Sequence, residues 1–200
     1  MSKIPINYYR NNDTLELARD LLGKFIFTQT ENKNLCGGII TETEAYLGAG
    51  DRASHAWGNR KTQRTQIMFL PGGVAYIYLC YGIHHLFNIV TNMKDVPHAI
   101  LIRGIFPVLG KRIMEERTGK KVPLHLDGPG KLTKALGIQT DYNATSLVGE
   151  KIWLENKNLK IDNSYIKTGP RIGIDYAGKD VNLPYRFLLK DISILKNIKF

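Results

Sequence analysis

The chain has only two cysteines, Cys36 and Cys80, with no CxxC pair and no histidines at zinc-ligand spacing. That excludes a zinc finger and a disulfide framework and fits reduced, intracellular chemistry. No run approaches the roughly 18 apolar residues of a membrane span. Met1 to Pro5 leads into polar Asn and Arg instead of an apolar signal core. The expectation is a soluble, cytoplasmic protein without a membrane role. There is no internal repeat, no low-complexity segment and no basic tail. Acidic residues are scarce, 18 against 28 Lys and Arg in 200 residues, for a net charge of +10. Residues 1–60 balance to zero while residues 101–140 carry a net +5, so the excess belongs to folded segments. Such a surface suits a polyanion such as nucleic acid, and equally a solvated lysine-rich face.

With 43% hydrophobic residues, the chain has enough apolar mass for one sizeable core and reads as one domain over residues 1–200. Asp13 and Glu16 make a capping box ahead of the apolar stripe Leu15, Ala18, Leu21 and Leu22, which predicts a short helix stopped by Gly23. Residues 24–30 and 35–46 are β-rich and joined by the polar turn 31–34, a hairpin. Residues 48–65 read as a loop with one helical turn at 53–57. A second hairpin follows, with strands 74–80 and 86–91 separated by Tyr81-Gly82 and a histidine pair. Residues 99–106 predict a strand interrupted by Arg103, and 109–118 and 129–136 predict helices stopped by Gly119 and Gly137. Short strands are expected at 151–155, 171–175 and 186–189. Strands with helices scattered among them indicate an α+β fold around a mostly antiparallel sheet.

In an extended segment, Glu42, Glu44 and Tyr46 share one face. Two carboxylates side by side suit either a solvated strand face or a pocket where one of them activates water beside an aromatic ring. The second reading also fits stabilisation of the positive charge that develops on a sugar as a glycosidic bond breaks. Tyr76 and Tyr78 share a strand face, whereas Tyr81 falls at the hairpin turn. There it serves either as a packing cover or as a wedge between base steps. Arg103, in an apolar strand, must meet a carboxylate or a phosphate. Gly128-Pro129-Gly130-Lys131 reads either as a phosphate-contacting helix start or as a plain turn before a Pro-led helix.

Several segments occur in a telling order: Thr43-Glu44-Ala45-Tyr46-Leu47-Gly48, His55, Met68-Phe69, Pro71-Gly72, Tyr76-Ile77-Tyr78, Tyr81-Gly82, Asn88, Ile100-Leu101-Ile102-Arg103 and Gly128-Pro129-Gly130-Lys131-Leu132. Together they resemble the alkyladenine (3-methyladenine) DNA glycosylase family over residues 22–188. The resemblance implies a single α+β domain with a curved antiparallel sheet, flanking helices and a protruding β-hairpin that inserts into DNA. It implies no metal and no cofactor. The implied partner is double-stranded DNA containing a damaged purine, and the implied state is a monomer. The implied reaction is base excision without strand cleavage, since no lysine stands as a Schiff-base nucleophile. By the same resemblance Glu44 is the general base, and Arg103 holds the attacking water and a nearby phosphate. Tyr46, His55 and Tyr78 line the base pocket, Asn88 forms the wall that disfavours guanine, and Tyr81 is the wedge. Lys131 adds charge at the helix start. Ile83, His84 and His85 depart from the more aromatic, methionine-containing run of mammalian members. That leaves 3-methyladenine, 7-methylguanine, hypoxanthine and ethenoadenine all as candidate lesions. Two rivals are a non-catalytic basic nucleic-acid-binding module of related fold and a hydrolase of free nucleosides.

Overall fold

A computed structural model describes residues 3–30, 33–196 and 198. The elements in chain order are α1 (Ile6–Tyr9), α2 (Thr14–Asp20), β1 (Phe25–Gln29), β2 (Leu35–Tyr46), β3 (Ala75–Cys80), β4 (His84–Thr91), β5 (His98–Leu109), α3 (Lys111–Thr118), β6 (Leu126–Asp127), α4 (Pro129–Leu136), β7 (Ile152–Glu155), β8 (Ile166–Gly169) and β9 (Arg186–Leu189). The fold is α+β, and every ladder among the described residues is antiparallel. The sheet runs β3-β4-β5-β2-β1-β7, with β9 adding to β2, β8 to β9 and β6 to β5. No described helix is long and apolar enough to cross a membrane.

The two long central strands explain the curvature. One edge of β2 pairs along its length with β5, while the other passes from β1 (Leu35 to Ile39) to β9 (Glu42 to Glu44). Likewise β5 passes from β4 to β6 on its outer edge. A strand that changes partner midway must bend, and bulges between β2 and β5 supply the bend. The core packs helix side chains such as Leu17, Ala18, Leu132 and Leu136 onto Ile26, Ile39, Ile100 and Ile102 of the sheet. Each such side chain contributes about 1.5–3 kcal/mol by leaving water.

Local signals placed most elements. The Asp13 carboxylate accepts the Glu16 N–H at 2.9 Å, so α2 begins where its capping box predicts. Three residues beyond α2, Gly23 (φ +84°) turns the chain into β1. Between the first two strands, Glu31 and Asn32 of the expected turn lie outside the described residues. Other expectations need correction. The single helical turn expected at 53–57 is replaced by two 3-10 turns, at Gly48–Gly50 and Trp57–Asn59. His84 and His85 belong to β4, paired with Cys80 and Leu79, so the hairpin turn is tighter than expected. Leu109 closes β5 instead of opening a helix, because Gly110 (φ +74°) separates the two. Residues 171–175 form no strand, since the Ile172 N–H donates to the Glu44 carboxylate and the Arg171 guanidinium to the Ala45 carbonyl across the molecule instead of to a ladder. The short elements α1, β6 and β8 carry no periodicity that predicts them.

Candidate active site

The site grows from the C-terminal half of β2. Ten of its twelve residues are buried, because β2 is covered on both edges and both faces. Its polar residues are therefore all held. Thr43 donates to the Ala18 carbonyl at 2.7 Å, and Thr41 meets His125 Nε2 at 2.9 Å. Glu42 and Glu44 are 8% and 0% exposed, which rules out the solvated-face reading.

Glu44 is held from three directions. Its Oε1 accepts the Ile172 N–H at 2.7 Å and lies 3.4 Å from Arg103 Nε, while Oε2 accepts the Tyr46 hydroxyl at 2.9 Å. Burial raises the Glu44 carboxyl above its ordinary range, against the lowering pull of Arg103, the Ile172 N–H and Tyr46. With one protein donor on Oε2, that oxygen keeps capacity for another. Arg103 meets both carboxylates, since its Nε also donates to Glu42 Oε1 at 3.1 Å.

Tyr46, Arg103 and Ile172 line a cavity of about 630 Å³, with Glu44 buried beneath them. His55, Tyr76 and Tyr78 form its aromatic wall. The His55 ring lies 4.6 Å from Tyr78, edge-on, and its Nδ1 is 2.9 Å from the Tyr76 hydroxyl. Arg64 covers the Tyr78 ring at 4.7 Å and places Nη2 3.5 Å from His55 Nε2. Burial, reinforced by Arg64, lowers the His55 pKa to about 4, so its ring is neutral at pH 7. Asn88 also borders the cavity, its amide donating to the Tyr76 carbonyl at 3.1 Å.

Tyr81 tips the β3–β4 hairpin and is 91% exposed. Tyr81 (φ +50°) and Gly82 (φ +72°) adopt left-handed backbone, and the Ile83 N–H closes the turn on the Cys80 carbonyl at 3.2 Å. Lys131, in the first turn of α4, borders the cavity but is occupied by Asp127 at 2.8 Å. The structure thus gathers Arg103, Tyr46, His55, Tyr78 and Asn88 around one cavity, with Tyr81 at its rim, and Glu44 behind the wall in contact with Tyr46, Arg103 and Ile172.

Sequence reasoning missed Arg171 and Ile172. The Arg171 side chain is fully buried, forms a two-pronged pair with Asp51, donates to the Ala45 carbonyl at 2.9 Å and covers the Tyr46 ring at 4.8 Å. It thereby pins the loop that delivers the Ile172 N–H to Glu44. The one available signal was a charged residue flanked by Pro170 and the Ile-Gly-Ile run.

The model of the methylpurine-DNA glycosylase (MPG) family matches residues 7–193. A Chlamydia felis protein curated as "Putative 3-methyladenine DNA glycosylase" is 48% identical over 189 residues, covering 93% of this chain and 95% of the relative. Proteins of the same name from Bacillus subtilis and Clostridioides difficile are 44% and 36% identical, each over 92% of this chain and over 91% and 98% of their own lengths. The chain therefore belongs to the methylpurine-DNA glycosylase family, DNA-repair enzymes that hydrolyse N-glycosyl bonds.

Proposed function

We propose that the enzyme is a monofunctional glycosylase that rotates a damaged purine out of duplex DNA into the cavity and hydrolyses its bond to the sugar. The observation that carries this reading is Glu44. It is a fully buried carboxylate held by an arginine, a tyrosine hydroxyl and a backbone N–H, directly beneath an aromatic cavity.

In this mechanism a water donates a hydrogen bond to Glu44 Oε2 and attacks the sugar C1′. Glu44 takes the proton as the C1′–N bond breaks, and its charge stabilises the oxocarbenium-like sugar. The purine leaves with the bonding electrons, and C1′ gains a hydroxyl, giving an abasic site. Arg103 orients the water and meets the adjacent phosphate. Tyr46, Tyr78 and neutral His55 stack on and read the purine, and Asn88 forms the wall that rejects guanine.

Tyr81 enters the space the base vacates, where stacking of roughly 1–3 kcal/mol offsets the few kcal/mol of unstacking. Lys131 leaves Asp127 for a phosphate oxygen. Ile83, His84 and His85 beside the wedge tune how long a base stays extruded. On this reading 3-methyladenine, hypoxanthine and ethenoadenine are all substrates, and the enzyme acts as a monomer.

A duplex carrying one hypoxanthine, incubated with the enzyme and then with alkali, tests the reading. Cleavage at the lesion only after alkali is expected. Cleavage without alkali would contradict a monofunctional reaction, and free hypoxanthine only from single strands or nucleosides would contradict extrusion from duplex.

A further inference from the structure

The register of β2 against β5 is interrupted twice within three residues. Ile40 faces Ile105, Glu42 faces Gly104 and Thr43 faces Ile102, so Thr41 is unpaired on one strand and Arg103 on the other. Facing bulges of this kind re-aim a side chain while the ladder resumes in step on either side. The close approach depends on glycine at 104, where a Cβ would stand 2.8 Å from Thr41 Oγ1 and 3.1 Å from Glu42 Cβ.

The re-aimed Arg103 meets a charge cluster that the mechanism above leaves unused. Glu42 Oε1 accepts from Arg103 Nε at 3.1 Å and from Arg186 Nε at 2.7 Å. Arg186 faces Glu44 across the β2–β9 ladder. Two carboxylates and two guanidinium groups thus balance in a pocket where the side-chain exposures of Arg103 and Glu42 are 12% and 10%. Arg103 is hydrogen-bonded to Glu42, whereas its 3.4 Å approach to Glu44 is an ionic contact only.

We propose that Glu42 and Arg186 are positioning residues: Glu42 holds Arg103 back from closing on Glu44, and Arg186 keeps Glu42 from drawing Arg103 away entirely. This rests on Glu44 acting as the base. If Glu42 loses its charge, Arg103 retains Glu44 as its sole carboxylate partner and collapses onto it, leaving a weaker base and blocking the water. If Arg186 loses its charge, Glu42 takes Arg103 fully, and Glu44 loses a stabilising cation. The two substitutions therefore displace the ionisation of Glu44 in opposite directions.

Other groups facing Glu44 stay constant in both cases. They are Tyr46 on its own strand and Arg171 and Tyr176 from the loop after β8, with Asp51 from the loop after β2 beside Arg171 and Tyr78 from β3 beside Tyr46. His125, just before β6, faces Glu42, with Asp127 of β6 and Lys131 of α4 beside it, and these are likewise unchanged.

The test is single-turnover excision of hypoxanthine from duplex DNA across pH, with lesion-DNA affinity and melting temperature recorded for each variant. Glu42→Gln is expected to lose about tenfold in rate at neutral pH and to move the acid limb of the profile to lower pH. Arg186→Gln is expected to move that limb to higher pH, and Arg186→Lys, which keeps the charge, to restore it towards wild type. Limbs that stay in place, or that move in the same direction for Glu42→Gln and Arg186→Gln, overturn the proposal. If Glu42→Gln does not fold, the Arg186 pair decides alone. A Glu44→Gln arm separates the two levels. Full activity there removes the base assignment itself, whereas an inactive Glu44→Gln beside wild-type profiles for the other variants removes only the positioning roles.

Discussion

Replacing Tyr81 separates folding from its proposed role on DNA. The side chain is 91% exposed, so truncating it removes almost no burial. Its backbone sits at φ +50°, a left-handed conformation that costs a residue other than glycine about 1–2 kcal/mol. Tyr81→Gly relieves that strain and adds about 0.5–1 kcal/mol of chain entropy to the unfolded state. The net change is between zero and about 1.5 kcal/mol of added stability, or a melting temperature at most about 6 °C higher. Tyr81→Ala keeps the strain and leaves stability unchanged. If Tyr81 is the wedge proposed above, both variants forfeit one stacking contact on DNA of about 1–3 kcal/mol, which is about 5- to 150-fold in the extrusion equilibrium. Stopped-flow fluorescence of a duplex with an emissive base at the lesion reads that equilibrium, and excision from matched duplex should fall further than excision from single strands. A wild-type extrusion signal with a melting temperature several degrees lower would show that the tyrosine is a structural cover and refute the reasoning.

Two further perturbations follow from the buried polar groups. Asp51→Asn strands the Arg171 guanidinium without a carboxylate and is expected to cost about 3–5 kcal/mol in urea unfolding. Excision should fall as well, because the Ile172 N–H loses its anchorage; a cost below about 1 kcal/mol would contradict the role given to the pair. His55, with its folded pKa near 4 against an ordinary 6.5, is neutral in the fold while the unfolded chain protonates first as pH falls. Its contribution to stability is therefore present above about pH 6.5 and is lost as pH falls towards 4. His55→Gln should flatten that part of the stability profile, and a ring titration by NMR with a midpoint above 6.5 would contradict the assignment.

What was legible in the sequence was what is punctuated locally. α4 begins at Pro129 and ends before Gly137 as expected, and α2 begins at its capping box, because caps act within one turn. The same holds for the long strands and for the placing of Glu42, Glu44 and Tyr46 along β2. Their burial was not legible, because it depends on β9 arriving from 142 to 146 residues further along the chain to cover the edge that β1 leaves free. The alternation of Arg171, Ile172, Gly173 and Ile174 imitates a strand, yet its polar groups go to Asp51, Ala45 and Glu44, partners about 120 residues away. β6 and β8, at two and four residues, are too short to carry a pattern.

If Glu44 supplies the base that activates water, single-turnover excision by Glu44→Gln exposes it. The amide preserves shape and the hydrogen bond from Ile172 but cannot take a proton. Wild-type affinity for lesion-bearing duplex is expected, with excision slowed by at least about 100-fold at neutral pH. Excision within a few fold of wild type, at unchanged affinity, would contradict it.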